Sequence, residues 1–92
     1  MNLKEHRNDV LKKLGFVHIG GKKHEKWVLK SKEGKVYLTT AVSRNNKDIG
    51  YGLRNIICKQ LHVTQKQYQE IAQCTMSKKN YYDHLFDTGI MN

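Results

Sequence analysis

Apolar positions along the chain change spacing from helical to alternating and back again. Leu3, Val10, Leu11 and Leu14 fall on one face of a helix that Asn2 and Glu5 are spaced to cap and that Gly15 ends. Three β-prone runs follow: "FVHI" at 16–19, closed by Gly20 and Gly21; "HEKWVLK" at 24–30; and, after the turn "SKEGK", "VYLTTAV" at 36–42. Together they predict an antiparallel meander. Gly50 and Gly52 then precede "LRNIICKQL", where Leu53, Ile56, Ile57 and Leu61 form the apolar stripe of a second helix. Thr64 and Gln67 make a capping box before Tyr68, Ile71 and Ala72, which predicts a short third helix. From Ser77, "SKKNYYDHLF" predicts one or two further helical turns, with Tyr81 near Leu85 and Tyr82 near Phe86.

A sheet of three short strands cannot bury both faces, so the helices are expected on one side. The fold class read from this order is α+β: an α-β-β-β-α unit over residues 1–74, followed by a helical extension, 75–92, with no assigned role. Alternation along the second strand puts Glu25, Trp27 and Leu29 on one face and His24, Lys26, Val28 and Lys30 on the other. Trp27 and Leu29 are the pair expected to meet the helices.

Ninety-two residues suffice for one compact domain with a modest core. The net charge of +9 points to a polyanionic partner, nucleic acid first, with an affinity that falls with salt. No apolar run is long enough to span a membrane, and the start "MNLKEHRNDVLKKL" has no apolar signal region, so a cytoplasmic location is expected. Cys58 and Cys74 are too far apart for a CxxC pair and are read as free thiols. An alternative groups Cys58, His62, Cys74 and His84 as zinc ligands, but the spacing is irregular for such a site.

His24 follows two glycines and two lysines and starts the strand that holds the only tryptophan. Its expected place is the open face, among Lys22, Lys23, Lys26 and Lys30, where neighbouring cations favour the neutral ring, a proton acceptor. That chemistry suits acid–base work on a phosphodiester, with the lysines and Arg44, in the loop after the third strand, contacting phosphates. The sequence contains no paired carboxylates, phosphate-binding glycine loop, nucleophile elbow or HExxH motif.

"GFVHIGGKKHEKWVL" followed by "IGYGLRNIICKQL" resembles the HicA toxins of bacterial HicBA toxin–antitoxin pairs: a short helix, a Gly-aromatic start to the first strand, a glycine-rich turn with a histidine three residues before an aromatic, and a closing helix. The likeness spans roughly residues 3 to 71. It implies a fold like that of double-stranded-RNA-binding domains, an mRNA interferase activity that needs no metal or other cofactor, and a HicB-like antitoxin as partner. It assigns the catalytic role to His24. Lys22-Lys23 stand where that family usually has Gly-Ser.

Among the other candidates, His18 is expected to cap the open face of the first strand, and Tyr37 could lie there beside His24 as a base-stacking platform. Trp27 is read as core, and His6, His62 and His84 as polar residues of helices or tail without further role. Two functions stay open: a ribonuclease toxin in which lysines hold the backbone while His24 transfers a proton, and a non-catalytic module binding RNA by shape through the same face.

Overall fold

The computed structural model describes residues 1–21 and 23–90. Helix α1 covers residues 3–14, with α-helical ends Leu3–Glu5 and Lys12–Leu14 around a π-helical stretch, His6–Leu11. Its capping box is formed in both directions: Glu5 N–H donates to Asn2 Oδ1 at 2.8 Å, and Asn2 N–H to Glu5 Oε1 at 3.2 Å. These bonds satisfy donors that a helix start leaves without intrahelical partners. Strands β1 (Val17–Gly20), β2 (His24–Lys30) and β3 (Val36–Ser43) form an antiparallel sheet in that order. Helices α2 (Tyr51–Leu61), α3 (Gln65–Ala72) and α4 (Lys78–Asp87) complete the described chain. Strand β1 starts one residue later than predicted, because Phe16 is buried and its amide still bonds to the Leu11 carbonyl of α1.

Residues opposed across a ladder share a face. The pairs Leu29–Leu38, Trp27–Thr40 and Glu25–Val42 therefore lie together, and Trp27, Leu29, Leu38 and Val42 belong to one core with the helices. Lys26, Thr39 and Ala41 are exposed on the opposite face. The sheet is open on that side, as its alternation predicts, except at Val28 of the central strand, which is buried between its neighbours Val17 and Thr39.

Two expectations about the helices change. In α2 the buried residues are Ile57, Cys58 and Leu61, whereas Leu53 and Ile56 are exposed. The predicted stripe is rotated because α2 is wedged between β3 and α3, which draws Cys58 into contact and turns Ile56 outward. The residues after 74, expected to extend from the domain, instead close its core: Met76, Tyr81 and Leu85 are part of the same cluster. Tyr81 donates to the Leu61 carbonyl at 2.9 Å and Tyr82 to the Leu14 carbonyl at 3.0 Å. Each acceptor is the last residue of a helix, where carbonyls lack intrahelical donors, so α4 finishes α1 and α2 as well as covering them. The predicted boundary at residue 74 has no counterpart in the core.

His6 is not solvent-facing. It is fully buried in the π-helical turn, with Nδ1 2.7 Å from the Tyr68 hydroxyl of α3. Burial, aided by the Arg7 charge, lowers its pKa to about 4. His62 takes a left-handed backbone at the end of α2, and its carbonyl accepts a hydrogen bond from His84 Nε2 at 2.6 Å. All three rings lie apart from the open face.

Candidate functional site

Gly20, the last residue of β1, and Gly21, which follows it, both take positive φ where the chain leaves β1. Gly21 sits at φ +128°, and a Cβ there would lie 1.9 Å from the carbonyl oxygen of His24. No side chain fits, so this contact requires glycine. Arg44, from the loop after β3, donates to the Gly21 carbonyl and ties the turn to that loop.

His24 opens β2 as an exposed residue paired with Ser43 of β3. It stands at a cleft of about 240 Å³ whose other walls include Ser43, Leu53, Ile57 and Gln60. Gln60 is oriented by the buried Thr40 hydroxyl, which donates to its side-chain oxygen. From the far side, Arg7 of α1 donates to the carbonyls of Ser43 and Asn45, both at 3.1 Å, and its Nε lies 3.8 Å from Glu25. Glu25 also accepts from the Trp27 indole N–H at 3.3 Å. Residues on either side of His24's ladder position are thus anchored while its own ring stays accessible.

The predicted cations divide. Lys26 follows His24 on the open face, about 7 Å along the strand, and Lys23 is exposed in the turn. Lys30 is at the opposite end of β2, about 20 Å away, too far to act with His24 on one phosphate. Arg44 is at the turn, engaged with Gly21. Lys22 lies outside the described residues. The other stacking candidate moves away too: Tyr37 is half-buried against the core at the Lys30 end of the sheet, with the Lys35 ammonium 5.7 Å from its ring centre.

His18 does not cap the open face. It opposes Trp27 across the β1–β2 ladder, and their ring centroids are 5.2 Å apart, so it lies on the helix side at the sheet edge. Parity alone misplaced it, because the first strand's register depends on a pairing that is interrupted by a bulge between His18 and Gly20. Among the described residues no three His, Cys, Asp or Glu side chains are grouped as metal ligands. Cys58 is buried, which raises its thiol pKa against a smaller opposing effect of Arg54, while Cys74 is exposed with its sulfur 2.9 Å from Lys13 Nζ. These placements separate the residues of the alternative zinc reading.

Sequence reasoning missed Ser43, Gln60 and Arg7. Ser43 is found only from the β2–β3 register, and Gln60 and Arg7 only from knowing which helices border the sheet. What the arrangement offers chemically is one accessible imidazole on a rigid backbone, next to a cleft and flanked by cations.

No family model, curated protein or solved structure matches this chain. Among the described residues no helix is long and apolar enough to cross a membrane.

Proposed function

We propose that this chain is a HicA-like ribonuclease toxin, in which a domain resembling the double-stranded-RNA-binding fold presents His24 to RNA. The observation that carries this reading is the exposed imidazole at the start of β2, with Lys23 before it in the chain, Lys26 on its own face of the strand and Arg44 tied to Gly21. Cations near a phosphodiester hold its backbone and offset charge that develops on the phosphoryl oxygens. His24 then accepts the proton of a ribose 2′-hydroxyl as that oxygen attacks the adjacent phosphorus, or protonates the departing 5′-oxygen. One ring performs one of these transfers at a time. Water or Lys26 supplies the other, since His18 lies on the other side of the sheet. A positioned acid or base contributes about 10²- to 10⁴-fold.

A chain that cleaves message in the cytoplasm needs restraint. A HicB-like antitoxin presenting acidic or bulky groups over His24, Lys23 and Lys26 would exclude RNA while gaining electrostatic complementarity. The second reading, a non-catalytic RNA-binding module, is favoured by one feature: among the described residues, no titratable side chain besides His24 lines the cleft.

Incubating purified protein with single-stranded RNA in EDTA separates the two. The nuclease reading expects cleavage that His24→Ala abolishes without moving the thermal midpoint. Cleavage that persists in folded, nuclease-free His24→Ala protein would sink it, and RNA binding without any cleavage by the parent would establish the module.

A further inference from the structure

On the helix side of the β1 edge lies a second cavity, of about 370 Å³, which the His24 chemistry does not use. Its walls are Arg7, Asn8 and Lys12 of α1 with His18, Glu25 and Trp27 of the sheet. The charges there do not cancel. Glu25 is matched by Arg7 at 3.8 Å, whereas Lys12 is exposed and has no carboxylate within 4 Å among the described residues. A cation is therefore left over at the mouth of the cavity, in a protein that already carries +9.

The aromatic pair supplies the second half of the recognition chemistry. Trp27 is buried, and its indole N–H is held by Glu25, so it forms a rigid backing. His18 is tilted 34° against it and is exposed on its outer side. An exposed ring on a fixed support beside a free ammonium group suits a nucleotide: base stacking on the ring and phosphate on the cation are the two contacts by which proteins hold single-stranded nucleic acid. An acidic peptide would use the lysine and leave the ring idle.

Position links the cavity to the site already described. Trp27 is three residues from His24 on β2, about 10 Å along the strand, and Glu25, which follows His24, points to this side. A strand of RNA lying over His24 can thus bend round the β1–β2 turn and reach it. We infer that the Lys12–His18 cavity is a second nucleotide subsite, which takes the phosphate and base of an RNA residue flanking the one at His24. This inference rests on the RNA reading proposed above.

Trp27 is the only tryptophan, so its emission reports on this cavity directly. The experiment titrates full-length protein carrying His24→Ala with labelled single-stranded RNA and, separately, with a nucleoside 5′-monophosphate, following both RNA anisotropy and tryptophan fluorescence. Both ligands should change the emission. Adding Lys12→Ala and His18→Ala, both at exposed positions, should abolish the monophosphate response, weaken RNA binding roughly tenfold and lower the salt slope by about one. Lys12→Glu alone should weaken binding further than Lys12→Ala alone. If RNA binds with no change in emission and the double variant binds like its parent, the subsite is wrong and the RNA reading stands. If RNA does not bind at all, both fall.

Discussion

His24 and His6 are the same residue type placed under opposite constraints. His24 opens β2, exposed, with the backbone near it anchored by Arg7 and Arg44. His6 lies in the seam between α1 and α3, fully buried, sharing a hydrogen bond with Tyr68 whose hydroxyl is also 3.2 Å from the Met1 sulfur. Burial keeps the His6 ring neutral and raises the Tyr68 pKa, because neither charged form has water to solvate it. The chain neighbours do not announce this difference: each histidine has a glutamate and a basic residue close by. Solvent access, set by packing, makes one ring available for chemistry and the other a part of the core.

The strongest way to break the contrast is at the turn. Gly21→Ala drives a methyl group into the His24 carbonyl, so cleavage should fall as far as with His24→Ala, about 10²- to 10⁴-fold. Gly20 also has positive φ but faces open space, so Gly20→Ala should cost about 1–2 kcal/mol of stability and leave most of the activity. Parallel rate and urea-unfolding measurements on the two variants check this. Equal activity in both would mean that the close approach at Gly21 does not position His24.

The buried side is tested by acid. His6 titrates near 6.5 in the unfolded chain and near 4 in the folded one, so between these values the unfolded state binds the extra proton. Stability from this group is complete above pH 6.5 and declines as pH falls toward 4, by about 3 kcal/mol in all. Urea unfolding at pH 7.5, 5.5 and 4 should reveal the decline. His6→Gln, which cannot titrate, should be less stable at pH 7.5 but have a flatter profile; an unchanged slope would assign the acid sensitivity to other groups.

Smaller effects are expected where α4 finishes other helices. Tyr81→Phe strips the Leu61 carbonyl of its donor in the core and should cost about 1–3 kcal/mol; Tyr82→Phe, at a half-buried site, should cost about 1 kcal/mol. Neither should alter cleavage by folded protein. The smallest difference separates two lysines of one strand. In a His24→Ala background, Lys26→Ala should weaken RNA binding several-fold and Lys30→Ala less, since only Lys26 lies beside His24. Anisotropy titrations at two salt concentrations compare them, and equal losses would mean that RNA covers the whole strand.

Much of the architecture was legible in local chemistry. The Asn2–Glu5 and Thr64–Gln67 capping boxes, the limits of β2 and the alternation that separates Trp27 from His24 depend on residues a few positions apart, and all are present in the fold. The exposure of His24 followed from the same alternation. What the sequence left open depended on contacts between distant segments. His6 is buried because Tyr68 meets it from 62 residues away, and His18 faces the helices because a bulged ladder sets it opposite Trp27. Ser43 and Gln60 join the His24 cleft through strand register and the docking of α2, and the last helix enters the core by packing Tyr81 and Leu85 there while the helix-terminal carbonyls of Leu61 and Leu14 accept its tyrosines. Periodicity states which side of an element is apolar; only the tertiary structure decides which other element meets that side, because burial and hydrogen-bond partners are properties of pairs of surfaces and not of single segments.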